Sequence, residues 1–136
     1  MDSEVLRQSP AAERRPSVLV VEKDPDVRGQ SVHHLTEFGF EVRAVPNGEA
    51  ALEVLDSAEP IDLVFTDVIM PGGITGFGVA DAAVARRPGI KIMFINGYQC
   101  TGTPHGHLRH RGAPLLPKPY TRKELAAAVQ AVMERR

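Results

Sequence analysis

Val18-Leu19-Val20-Val21-Glu22-Lys23-Asp24-Pro25 is the stretch on which the reading of the fold turns. Its four consecutive apolar residues, three of them β-branched, fit a strand buried on both faces, as the central strands of parallel sheets are. Asp24-Pro25 then opens a helix, because the carboxylate can accept backbone N–H groups as an N-cap and proline suits the first turn. Val27, Ser31, Leu35 and Phe38 recur at helical spacing, and Gly39 stops the run. A doubly buried strand that feeds straight into a helix is the opening half of a parallel strand–helix–strand unit.

The same alternation continues outward from this stretch. Phe40 to Val45 read as a strand with one less buried face, and Pro46-Asn47-Gly48 turn into the helical pattern of AALEVL, residues 50 to 55. Ile61 to Thr66 form a third strand, closed by Asp67 and the loop VIMPGGITG. FGVADAAVARRPG, residues 77 to 89, reads as a helix stopped by Pro88 and Gly89. Ile90 to Ile95 give a fourth strand. Asn96 to Gly112 are glycine-rich and hold three histidines, so the fourth helix is expected to be distorted or absent. Pro114 to Pro117 give a short fifth strand, and Thr121-Arg122-Lys123-Glu124 is a capping box before Leu125, Val129 and Val132. The pattern predicts an α/β fold, a doubly wound five-stranded parallel sheet of order 2-1-3-4-5, flavodoxin-like, with a degenerate fourth helix. In such sheets ligands bind beyond the carboxyl ends of the strands where the order reverses, here between strands one and three.

Composition narrows the function. The chain of 136 residues has the size of one domain, expected over residues 17 to 136 behind a flexible tail of residues 1 to 16. Sixteen Lys and Arg oppose seventeen Asp and Glu, and a net charge of −1 gives no field for nucleic acid or an anionic membrane. The single cysteine, Cys100, excludes an internal disulfide and zinc sites built on paired cysteines. No apolar run approaches the roughly 18 residues needed to span a bilayer, and a cytoplasmic location is expected.

The chemistry gathers at the strand ends. Strand one ends in Glu22-Lys23-Asp24 and strand three in Asp67, so folding brings together carboxylates that repel one another unless a cation or proton relieves them. Oxygen ligands of this kind suit Mg²⁺. Strand five ends in Lys118, whose ammonium could meet a phosphoryl oxygen; as an exposed lysine at the rim it would contribute little to folding. Asp24 can serve as N-cap, as metal ligand or as both.

VLVVEKDPDVR, LVFTDVIMPGG, IMFINGY and LPKPY, in this order and spacing, resemble the receiver domain of bacterial two-component response regulators, the CheY-like family. The resemblance covers residues 17 to about 134. It implies that Asp67 is a phosphoacceptor that takes a phosphoryl group from a phosphohistidine and forms an acyl phosphate. It further implies that Lys118 contacts the phosphoryl group, that Lys118-Pro119 is a cis peptide bond, and that Mg²⁺ is held by Glu22, Asp24, Asp67 and the carbonyl of Ile69. The implied partners are a sensor histidine kinase or phosphotransfer protein and a downstream protein target. The chemistry amounts to the chain's own phosphotransfer and dephosphorylation, not that of a metabolic enzyme.

Three positions depart from the family pattern. Lys23 stands where a second acidic residue is usual; if its ammonium points inward, it lowers the pKa values of Asp67 and Glu22 and competes with Mg²⁺. Asn96 replaces the switch Ser or Thr, and Leu115 replaces the switch aromatic. The alternative reading is therefore a pseudo-receiver, a protein-interaction module that works without phosphorylation. The chain would be a stand-alone receiver or the receiver of a hybrid kinase. A haloacid-dehalogenase-like phosphatase would need Asp where Ile69 stands, and flavin binding would need a hydroxyl-rich loop after strand one. His105, His107 and His110 read as a solvated loop rather than a metal site, and the adjacent His33 and His34 call for no role.

Overall fold

The computed structural model describes residues 15–70, 73–96 and 113–134. Among them the chain alternates β1 (Ser17–Val21), α1 (Pro25–Glu37), β2 (Glu41–Val45), α2 (Gly48–Asp56), β3 (Leu63–Asp67), α3 (Gly76–Arg86), β4 (Lys91–Asn96), β5 (Leu115–Pro117) and α4 (Arg122–Glu134). The five strands form one parallel sheet of order β2-β1-β3-β4-β5, the order expected from the alternation. The glycine-rich segment expected to hold a degenerate helix, together with Cys100, His105, His107 and His110, lies outside the described residues. So does most of the expected tail.

Period-two alternation splits the central strands between two cores. Leu19 and Val21 of β1 face α2 and α3, with Val54, Leu55, Val79, Ala80 and Phe94. Val18 and Val20 face α1 and α4, with Leu35, Phe65, Met93, Leu125 and Val129. A residue such as Leu19 has no water on either side, which is why β1 reads as an unbroken apolar run. At the sheet edge, β2 keeps Glu41 and Arg43 exposed and shows the expected alternation.

The caps fall where the sequence places them. Asp24 Oδ1 accepts from Asp26 N and Val27 N, Asn47 Oδ1 accepts from Ala50 N, and Thr121 and Glu124 exchange the two bonds of a capping box. Gly39 takes φ of 104° just beyond α1, in the left-handed region that favours glycine. The third strand starts at Leu63 rather than Ile61. Asp62 instead uses its carboxylate to accept from Ser17 N at 2.7 Å, tying the starts of β1 and β3 together.

Candidate functional site

β1 and β3 are hydrogen-bonded neighbours, Val21 pairing with Thr66, so the residues that follow them meet at one end of the sheet. Glu22 is fully buried and Asp67 nearly so. Glu22 Oε2 accepts from Asp24 N at 3.0 Å, and the main-chain oxygens of Glu22 and Lys23 accept from Arg28 of α1. These bonds hold the β1–α1 turn so that Glu22 points inward and Lys23 outward. Lys118, delivered by β5 and followed by a cis bond to Pro119, completes the group. Its Nζ lies 3.1 Å from Glu22 Oε1 and 3.4 Å from Asp67 Oδ2.

Burial decides the electrostatics. Loss of water pushes the Asp67 carboxyl up from 3.8 to about 7, and the nearby Glu22 carboxyl, close enough to share a proton with it, pushes in the same direction. Lys118 opposes this without cancelling it. Burial would lower the Lys118 ammonium, but the two carboxylates outweigh it and hold the ammonium above its ordinary value.

The structure decides between the two orientations open to Lys23 and corrects one expectation, that of Lys118 as an exposed rim residue. The ammonium that meets Asp67 and Glu22 belongs to Lys118, whereas Lys23 is exposed and makes no ion pair with either carboxylate. Asp67 is shifted upward because burial, together with Glu22, outweighs the ammonium of Lys118. Nor is Lys118 an exposed rim lysine: its side chain is 18% exposed between two buried acids.

A cavity of about 380 Å³ opens above these groups, lined by Glu22, Asp24, Asp67, Ile69, Lys118 and Tyr120 among others. Lys23 stands on its rim. Glu22 Oε1 tests the fit of a metal ion: it is buried and, although Lys118 Nζ is 3.1 Å away, no donor points at it in hydrogen-bonding geometry. A buried carboxylate oxygen that faces an ammonium but accepts no hydrogen bond keeps a lone pair that suits a hard divalent cation. Asp24 has committed one oxygen to capping α1, so its ligand role would fall to the other. Asn96 closes β4 beside these groups; its side chain lies outside the description.

Three contributors were missed by the sequence reading. Tyr120 lines the cavity, and its hydroxyl sits 2.5 Å from Ser31 Oγ of α1, pinning the Lys118-Pro119 turn. The signal was Ser31, a polar residue on an otherwise apolar helix face. Arg28 holds the β1–α1 turn, as above. Gly76 is required for space: a Cβ there would lie 1.9 Å from the Asp67 carbonyl oxygen, and Gly76 N donates to Val68 O at 2.9 Å.

Residues 18–130 match the family model described as the response regulator receiver domain. The chain belongs to the response regulator receiver domain family. It is 32% identical over 116 residues to the response regulator receiver protein CpdR of Brucella abortus, covering 85% of this chain and 95% of CpdR. It is 30% identical to the sensor kinase CckA of the same organism over 88% of this chain, but spans only 13% of that protein. A response regulator receiver protein from Sinorhizobium medicae superposes with a TM-score of 0.80 at 27% identity, covering 89% of this chain and 96% of that one. The receiver domain of the hybrid histidine kinase CckA gives 0.70 at 33% identity, covering 87% and 99%. Receiver domains as a family belong to two-component signalling, interact with histidine kinases and bind Mg²⁺ at their acidic pocket. Among the described residues of this receiver domain, no helix is long and apolar enough to cross a membrane.

Proposed function

We propose that this receiver domain accepts a phosphoryl group on Asp67 from the phosphohistidine of a sensor histidine kinase or phosphotransfer protein and signals through protein–protein contact in the cytoplasm. The observation that carries the reading is the Lys118 ammonium 3.4 Å from Asp67 Oδ2 at the floor of an open cavity. A carboxylate oxygen of Asp67 attacks phosphorus, the P–N bond to the donor histidine breaks, and the imidazole leaves with its electron pair and takes up a proton. Only ionised Asp67 can attack, and a pKa of about 7 leaves a large ionised fraction at neutral pH. Lys118 stabilises the negative charge that the phosphoryl oxygens carry once they lie between it and Asp67.

Mg²⁺ would be held by Glu22, Asp67 and the second oxygen of Asp24, with the Ile69 carbonyl, and would supply charge neutralisation at a phosphoryl oxygen. The Asn96 amide would take the hydrogen-bonding place of the family's hydroxyl. The second reading, a receiver that binds its partner without phosphorylation, draws support from Lys23 in the place of an acid and from the ease with which Asp67 holds a proton.

Incubation with a small acyl phosphate and Mg²⁺, followed by intact-mass measurement, separates the two. One phosphoryl adduct is expected on the wild type and none on Asp67→Asn, because the amide is not a nucleophile. An adduct that persists in Asp67→Asn moves the acceptor elsewhere; a wild type that stays unmodified under every donor favours the second reading.

A further inference from the structure

One to two turns along α1 beyond Val27 and Gln30, which line the acidic cavity, a second group of ligand-type side chains converges. His33, His34 and Glu37 each offer one such atom, and the three atoms lie within 4.8 Å of one another. His33 Nε2 is 3.5 Å from Glu37 Oε2, and the two imidazole rings are 5.6 Å apart between centroids. His34 Nδ1 is buried and has no hydrogen-bond partner, a polar atom whose need the protein leaves unmet. His33 and Glu37 are 68% and 45% exposed, so an ion can reach the group from solvent.

The carboxylate is already aimed. Glu37 Oε1 accepts from Arg122 Nε at 3.1 Å, and the Arg122 guanidinium is itself seated over the Phe38 ring at 4.9 Å. That leaves Oε2 turned toward His33. Metal-ligating carboxylates are themselves hydrogen-bonded to a supporting partner, the part that Arg122 plays here.

Two imidazoles and one carboxylate are the donor set of an open transition-metal site, whereas Mg²⁺ and Ca²⁺ prefer oxygen alone. We propose that His33, His34 and Glu37 form a surface site for a late first-row divalent ion, Zn²⁺ being the reference, distinct from the acidic cavity. Bonds of about 2.0–2.1 Å require the donor atoms to close to roughly 3.4 Å, which rotation of the exposed His33 side chain allows, and water completes the coordination. Bound there, the ion would cross-link successive turns of α1 beside the existing Glu37–Arg122 contact to α4. The site owes nothing to phosphorylation of Asp67.

The test uses the full-length chain without an affinity tag, stripped of metal and held in excess Mg²⁺ to occupy the hard oxygen ligands of the cavity. Zn²⁺ is titrated in competition with a chromophoric chelator, and thermal unfolding is followed in parallel. One Zn²⁺ per chain is expected, with affinity weakened at least tenfold in His33→Ala and in Glu37→Gln. Zn²⁺ should raise the unfolding midpoint of the wild type and leave that of His33→Ala where it was. The triple variant His105→Ala/His107→Ala/His110→Ala should bind as the wild type does. Equal affinity in His33→Ala and wild type overturns the proposal, as does loss of binding in the triple variant, which would place the ion on residues 105 to 110.

Discussion

Lys118 and Arg122 stand four residues apart, and each places a nitrogen 3.1 Å from a glutamate oxygen. Lys118 meets Glu22, whose side chain is fully buried, while Arg122 meets Glu37 with both partners about half exposed. At equal separation the attraction scales inversely with the effective dielectric, and so does the cost of leaving either charge alone. The exposed pair sits in high dielectric, is screened by salt and contributes little. The buried cluster is held in place because neither acid has water to turn to. Distance therefore does not rank these ion pairs; burial does.

The sharpest way to break that comparison is to remove each cation. Lys118→Ala leaves Glu22 and Asp67 facing each other without a counter-charge and should cost about 3 kcal/mol at pH 8 in denaturant unfolding, against a far smaller loss for Arg122→Ala. Equal losses in the two variants would refute the ranking. The Lys118→Ala loss should shrink toward pH 5, where Asp67 takes up a proton.

A smaller effect follows from Asp67 itself. Its folded-state pKa of about 7 lies above the ordinary 3.8, so the native protein binds a proton that the unfolded chain releases. That stabilisation is complete below the ordinary value and is lost as pH rises through about 7. In metal-free buffer Asp67→Asn, which carries no such charge, should be more stable than wild type by about 2 kcal/mol at pH 8, with the gain vanishing near pH 4. A pH-independent difference between the two proteins would mean that Asp67 titrates normally.

The smallest effect belongs to Lys23. An exposed ammonium on the rim is screened, so Lys23→Ala should change Mg²⁺ affinity by less than about threefold. Lys23→Asp adds a hard oxygen at the mouth of the cavity and should raise that affinity about tenfold, or about 1.4 kcal/mol. If alanine gains as much as aspartate, the lysine charge reaches the ion after all.

The fold was legible because its signals are local and repeated. Val18 to Val21 can be little else than a doubly buried strand, and the caps at Asp24, Asn47 and Thr121 mark helix starts with side chains that bond their own neighbourhood. That Glu22, Asp67 and Lys118 meet was equally legible, since strand ends follow from topology, whereas Tyr120, Arg28 and Gly76 carried no comparable signal. What the residues do to one another was not. Whether Lys23 or Lys118 meets the acids depends on Arg28 holding the turn through main-chain oxygens, a contact between residues five and six apart with no compositional mark. The elevated pKa of Asp67 arises from the depth of the site, a property of the assembled sheet rather than of any motif. Ser31 fits the helical spacing of α1, and its bond to Tyr120 appears only when α1 lies against the turn after β5.

The residue that lets α3 start against the loop after Asp67 carries no chemistry. Gly76 lies nine positions after Asp67, and the start of α3 presses so closely on the Asp67 carbonyl that even a methyl group would overlap it. Its φ is not in the left-handed region, so this glycine answers a need for space and not for an unusual backbone. Anyone transplanting these acids and their lysine onto another doubly wound sheet would have to carry that gap along. The smallest portable unit is a strand end, its returning loop and a bare backbone position, without which the grafted carboxylate would sit on a loop displaced from its frame.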